Sequence, residues 1–264
     1  MPIPDLDDDD RLVGRVLSRR EVLALLGAVS ISAVTAACVP GSAATGSGSA
    51  SATASASAVG TDVAVASPLP SCVVVPALTE GPYYVDEHLD RSDIRIDTST
   101  GKSVDGTPLT IDWVVSKVAG TACTPLPGVL VDVWHCDALG VYSDVGAAQG
   151  HDYLRGYQHT DANGRATIAT IYPGWYQGRA VHIHFKIRTD ANATSGLEFT
   201  SQLFFDDALS DQVYGQGVYA SKGRHDTPNA SDGIYQQSQG MTLLTVGKDG
   251  AGYKATFEVA LQTA

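Results

Sequence analysis

Basic residues are scarce in this chain. Lysine and arginine number 17 against 29 acidic residues, for a net charge of −12. Duplex-binding proteins cluster cations to neutralise phosphates, so this balance excludes nucleic acid as a partner. Charge of either sign is also low, at 17% of 264 residues, whereas 44% are hydrophobic. That excludes a wholly disordered chain, which needs the opposite balance. Long hydrophobic runs are missing too. The apolar, uncharged stretch 22–37 falls short of the roughly 18 residues needed to span a bilayer. Helical periodicity is weak beyond that stretch, and 27 Gly, 12 Pro and 11 Tyr lean towards strands and turns.

The first 71 residues read as address and tether rather than fold. Asp7 to Asp10 form an acidic run, followed by Arg11, Arg15, Arg19 and Arg20, then the apolar stretch. Basic residues, a short apolar segment and small residues before a cut make an export signal. Ser18-Arg19-Arg20-Glu21-Val22-Leu23 is similar to a twin-arginine signal, the route for proteins exported already folded. Thr35-Ala36-Ala37-Cys38 reads as a lipoprotein box with Cys38 as the lipid-bearing residue, an ordinary cleaved signal being the other reading. Residues 1–38 are thus a signal peptide of twin-arginine or lipoprotein type, 39–71 a spacer rich in Gly, Ser, Ala and Thr, and 72–264 the folded domain. The expected location is outside the cytoplasm, in the medium or tethered to the outer face of the membrane.

Cysteine is sparse, with four residues. Apart from Cys38 there remain Cys72, Cys123 and Cys136, so at most one bridge forms. Cys123 and Cys136 flank one apparent strand, which would separate them by roughly 40 Å if extended. A disulfide requires Cα atoms within about 7 Å. Cys72–Cys123 is the expected pair and Cys136 a buried free thiol.

Strand signals recur at 109–115, 128–135, 165–171, 180–188, 200–205, 241–246 and 253–261, separated by turns such as Asp161-Ala162-Asn163-Gly164. They predict an all-β fold, a β-sandwich of mixed topology with long loops. One short helix is expected near 206–212.

Chemistry concentrates in Val181-His182-Ile183-His184-Phe185. Alternation on a strand puts His182 and His184 on one face, where both imidazoles can reach a single metal ion. A Pro/Gly loop, Tyr172-Pro173-Gly174-Trp175-Tyr176-Gln177-Gly178-Arg179, leads into that strand. Upstream, the stretch 134–142 runs from Trp134 through a glycine turn to Tyr142.

These motifs, with Thr79-Glu80-Gly81-Pro82-Tyr83-Tyr84, the stretch 161–165 and Gln202, resemble the intradiol ring-cleavage dioxygenases. These are the catechol 1,2- and protocatechuate 3,4-dioxygenase-like enzymes. The resemblance spans most of 72–264. It implies a β-sandwich holding non-haem Fe(III) through Tyr142, Tyr176, His182 and His184, with Arg179 and Gln202 completing the site. Phenolate is a hard anionic donor that favours the ferric state, unlike the two-histidine, one-carboxylate set of Fe(II) enzymes. The resemblance also implies a catechol-type substrate, O2 as co-substrate, and cleavage between the hydroxylated carbons to cis,cis-muconate type products. In it Tyr176 takes a substrate proton and Arg179 stabilises charge on the ring.

Tyr83 and Tyr84 are expected near the mouth of the site. His135 and Cys136 stand where relatives often carry Gln and Ala. His88, His151, His159 and His225 are expected to be no ligands, and Asp206-Asp207 to be a loop cap. Asn192 and Asn229 head glycosylation-type triplets and are expected in exposed turns. Only leader and spacer precede Cys72, so a homodimer, which stays open, would need surfaces other than the N-terminal helices of the catechol enzymes. Two rival readings remain: a cupin-like HxH metalloenzyme completed by a carboxylate, and a metal-free sandwich module that binds surface glycans on Trp113, Trp134 and Trp175.

Overall fold

The structure is a computed structural model that describes residues 72–189 and 196–262. The leader, the spacer, Cys38 and Asn192 lie outside them. Strands β1 (Ile96–Asp97) and β2 (Lys102–Ser103) make a small hairpin. The long strand β3 (Pro108–Ala119) follows, then β4 (Ala122–Pro125), β5 (Leu130–Trp134), β6 (Arg155–His159) and β7 (Arg165–Ile171). The series continues with β8 (His182–Arg188), β9 (Glu198–Phe204), helix α1 (Asp207–Tyr214), helix α2 (Gly233–Ser238), β10 (Val246–Asp249) and β11 (Gly252–Gln262).

Two sheets result. In the first, β3 pairs in parallel with β11 on one side. On its other side it pairs antiparallel, first with β7 and then with β4. The second sheet runs β6-β5-β8-β9, all antiparallel. The expected sandwich of mixed strand direction is therefore present.

The core follows from alternation. Leu109, Ile111, Trp113 and Val115 of β3 are buried, as are Tyr253, Ala255, Phe257 and Val259 of β11. They form one apolar cluster with Val131, Val133, Ile183, Phe185, Ile187 and Leu203 of the second sheet. Trp113 packs on Phe185 and Phe257, with ring centroids 5.0 and 5.5 Å apart. Each such aliphatic or aromatic side chain contributes about 1.5–3 kcal/mol on burial.

Strands β5 and β8 are buried on both faces. Their outward residues are Leu130, Asp132, Trp134, His182, His184, Lys186 and Arg188, a row that is polar or aromatic save for Leu130 at its end. The segment 79–88 covers that row. Glu80 pairs with Lys186, Tyr84 packs on Trp134, and Asp86 pairs with Arg188 at 2.5 Å. A covered polar face on one side of a sandwich is where a site can be buried without breaking the core.

The Cys72–Cys123 disulfide is present, with Cα atoms 6.0 Å apart, and Cys136 is a buried free thiol. The bridge joins β4 to the segment that leads into 79–88. Asp206 caps α1 by accepting from Leu209 N at 2.9 Å, as the loop-cap reading expects.

Three expectations change. The strand expected at 241–246 is a turn, and β10 begins only at Val246. The turn pairs with a single residue of β9: Phe204 N donates to Thr242 O, and Leu244 N to Phe204 O. One paired residue leaves no room for a ladder. Strands β4 and β6 carry no periodic apolar signal, and pairing with β3 and β5 makes them strands. Asn229 is buried, and its Nδ2 donates to Phe205 O at 2.7 Å. It is a structural amide rather than an exposed acceptor.

Candidate metal centre

Strand β8 places His182 and His184 on its outer face, as two-residue spacing requires. Both are buried, and their Nε2 atoms lie 3.0 Å apart. His182 Nδ1 sits 2.6 Å from the Ala180 carbonyl. A proton on that nitrogen serves the carbonyl and leaves Nε2 as a lone-pair donor. His184 is stacked on Trp134 with planes only 10° apart, which fixes its ring.

The two tyrosines arrive from separate turns. Tyr142 ends the turn after β5, where Asp137 Oδ1 accepts from Leu139 N and Val141 N, both at 2.9 Å. Tyr176 ends the Pro/Gly loop before β8, and its hydroxyl lies 3.2 Å from His182 Nε2. The ring of Tyr142 meets Tyr176 at 5.8 Å and His184 at 6.2 Å, edge to face in both cases. Its buried hydroxyl has no well-formed hydrogen bond.

Burial sets the protonation states. It pushes His182 down to about 3, with the Arg179 guanidinium adding to the fall. It holds His184 well below its usual value, with His182 adding to the effect. It raises the Tyr142 hydroxyl well above its usual value, with Tyr176 adding to the rise. Both imidazoles are thus neutral lone-pair donors, while ionising a phenol here is costly without a cation.

Those features fit a metal ion. Two donors each about 2.1 Å from one ion, at right angles, lie about 3.0 Å apart. His182 Nε2 stands at that spacing from His184 Nε2 and, at 3.2 Å, close to it from Tyr176 Oη, and the Tyr142 hydroxyl, which lacks a well-formed bond, gains a partner. Two phenols and two imidazoles suit a hard, oxidised ion such as Fe(III). Among the described residues, no group of three or more His, Cys, Asp or Glu could hold a metal. The carboxylate that the cupin-like reading needs is therefore missing from this centre.

Arg179 lies beside the donors, buried, and is held twice. Its Nε donates to Asp232 Oδ2 at 2.8 Å and its Nη2 to Gln202 Oε1 at 2.6 Å. Gln202 Nε2 in turn donates to the Thr79 carbonyl at 3.0 Å. Asp232 also accepts from Ala180 N, Ile234 N and Tyr235 N, so it caps α2 while anchoring the start of β8. Sequence reading missed Asp232. Its one local signal was Asp232-Gly233 ahead of a short helix, which says nothing of a partner 53 positions earlier.

Tyr83 stacks on Tyr142 at 4.5 Å and meets Tyr176 edge-on at 5.8 Å, forming a wall of the centre. Tyr84 instead packs on Trp134, and its hydroxyl donates to Asp132 Oδ2 at 3.3 Å. His135 faces the other sheet, with Nε2 2.6 Å from Thr170 Oγ1, so it is core rather than site. Cys136 does pack with Trp134 and Tyr142, and burial pushes its thiol up to about 12. His151 is paired with Asp97, and His225 sits beside Asp207 and Asp211. His88 and His159 have side chains about half exposed. Trp113 and Trp134 are at most 1% exposed, so of the three rings that the glycan-module reading needs only Trp175, which is partly buried, reaches the surface.

A family model described as Dioxygenase matches residues 79–231, more than half of the chain. The dioxygenase domain of a dioxygenase carbohydrate-binding protein fusion from Streptomyces sp. SirexAA-E is 31% identical, with a TM-score of 0.52. That match covers 73% of this chain and 100% of the other. An intradiol ring-cleavage dioxygenase from Tetranychus urticae is 26% identical, with a TM-score of 0.59, covering 72% and 94%. Chlorocatechol 1,2-dioxygenase of Pseudomonas putida is 31% identical over 121 residues, which are 39% of this chain and 44% of that protein. The chain spans less than half the length of the curated relatives it matches.

Proposed function

The chain belongs to the intradiol ring-cleavage dioxygenase family, and on that premise we propose that it cleaves catechols with O2 between the two hydroxylated carbons. The products are cis,cis-muconate type diacids. The ion is non-haem Fe(III), held by Tyr142, Tyr176, His182 and His184. The convergence of Tyr176 Oη, His182 Nε2 and His184 Nε2 within 3.0–3.2 Å steps, against the buried Tyr142 hydroxyl, carries this reading.

Ferric iron, when bound, supplies a Lewis acid that acidifies the hydroxyls of a chelated catechol and draws electron density from its ring. The chain's own residues do the rest. Tyr176 is only half-buried and sits on a loop, so, ionised as a ligand, its phenolate Oη would take a proton from a substrate hydroxyl as the ring enters and become a neutral phenol. Arg179, fixed by Asp232 and Gln202, holds positive charge beside the donors and stabilises anionic character on the substrate. Tyr83 offers an aromatic face to the ring. Trp134 and Tyr142 keep the inner side of the centre dry.

We further propose that the protein is exported and, through Cys38, tethered to the outer face of the membrane. The twin-arginine-like leader and the spacer 39–71 support this. Cell fractionation of a Cys38→Ala strain tests it: release into the medium supports the anchor, and unchanged membrane retention refutes it.

The enzymatic reading is tested by the optical spectrum of iron-loaded protein, before and after adding catechol under air. Tyrosinate on Fe(III) gives a visible charge-transfer band, which shifts as catechol binds, and labelled dioxygen leaves both atoms in the diacid. A colourless iron-loaded protein that consumes no O2 ends the proposal.

A further inference from the structure

We propose that Lys222, on neither tyrosine-bearing turn, is a positioning residue that clamps the two turns together and so sets the spacing of the phenol ligands. This rests on the iron-site reading above.

Tyr142 and Tyr176 come from turns some thirty residues apart in sequence, yet the turns pack backbone against backbone. Gly174 N donates to the Asp137 carbonyl at 3.1 Å. A Cβ at Gly174 would stand 2.2 Å from the same oxygen, and one at Gly140 would stand 2.1 Å from the Trp175 oxygen. Only glycines allow this approach. It also brings together two carbonyl oxygens, those of Leu139 and Trp175. Leu139 lies three residues before Tyr142, and Trp175 immediately precedes Tyr176.

Carbonyl oxygens carry like partial charge and repel when nothing lies between them. Lys222 lies between them. Its Nζ donates to Leu139 O and to Trp175 O, each at 2.5 Å. The same ammonium lies 4.6 Å from the centre of the Trp175 ring, a cation–π contact. The Trp175 indole donates to Gly223 O at 2.9 Å, so the residue after Lys222 holds the loop as well. Lys222 follows the short 3-10 turn Gly217–Ser221, which is anchored by buried Tyr219 through its hydroxyl bond to Tyr172 O at 2.6 Å. The clamp is therefore mounted on rigid structure. Charge-assisted bonds to two carbonyls are the strong kind, and an error of half an ångström in a ligand shell is enough to degrade it.

The experiment compares iron-loaded wild type, Lys222→Met and Lys222→Arg, with Lys117→Met as a control for loss of an exposed lysine charge. Three quantities are read: the tyrosinate charge-transfer band, the rate of iron loss to a chelator, and the melting temperature of the metal-free protein. The clamp predicts a shifted band in Lys222→Met, iron loss on the order of tenfold faster, and partial return towards wild type in Lys222→Arg. A purely structural lysine would lower the melting temperature and leave the band in place. A folded Lys222→Met variant with the wild-type band and chelation rate therefore overturns the inference, whatever its melting temperature. Should Lys222→Met not fold, Lys222→Gln is judged by the same two readouts. Wild-type protein that shows no band counts against the iron-site reading instead, so the two failures are distinct.

Discussion

Replacing Asp232 tests how the arginine of the site is held. Its side chain is 1% exposed and its carboxylate takes four donors: Arg179 Nε, Ala180 N and Ile234 N at 2.8 Å, and Tyr235 N at 2.9 Å. Asp232→Ala strands a buried guanidinium, a loss of about 3–5 kcal/mol, and removes a helix cap worth about 1 kcal/mol. Against a whole-domain stability of roughly 5–15 kcal/mol, that variant stands near the edge of folding. Asp232→Asn is the sharper probe. The amide oxygen keeps a cap acceptor while the charge is lost, so about 2–3 kcal/mol should go. For a domain of this size that is a fall of roughly 4–12 °C in melting temperature. The assay is urea unfolding of the metal-free protein for Asp232→Asn, Arg179→Met and the double variant. The pair predicts strong coupling, with the double variant much less damaged than the sum of the singles. Additive effects, or a loss under about 0.5 kcal/mol for Asp232→Asn, would refute the view that these two residues act as one unit.

Tyr142→Phe should leave metal-free stability unchanged or raise it by up to about 1 kcal/mol, because it removes a buried hydroxyl without a good partner. The same variant should release iron faster, and chelation against thermal melting reads both signs. Replacing Cys72 and Cys123 with serine opens a link of sequence separation 51 and should cost about 4 kcal/mol, measured by denaturant unfolding with and without reductant. Burial alone would raise the Asp97 carboxyl, yet bonds from His151, Ser99 and Thr100 hold it below the usual carboxylate value. Its contribution is therefore full above about pH 4 and is lost as pH falls further. Asp97→Asn should flatten the acid limb of stability against pH and leave the slope near neutrality as it was.

What the sequence determined was local. Alternation in 109–115 and 180–188 announced buried strands because side-chain direction on a strand is a matter of parity alone. The same parity put His182 and His184 on one face, and the family resemblance of the glycine-rich turns ending in Tyr142 and Tyr176 pointed to the other two proposed donors. The extension of an intervening strand was enough to set aside a Cys123–Cys136 bridge. Tertiary structure decided what parity cannot reach. Strands β4 and β6 exist because β3 and β5 offer open edges, and 241–245 form no strand because β9 offers them only Phe204. Asp232 meets Arg179, and Lys222 meets Leu139 and Trp175, through contacts that close only once both sheets and the loops over them are packed. A residue's own neighbours in the chain fix which way it points; what it points at, 47 to 83 positions away here, is settled by the packing of the whole domain.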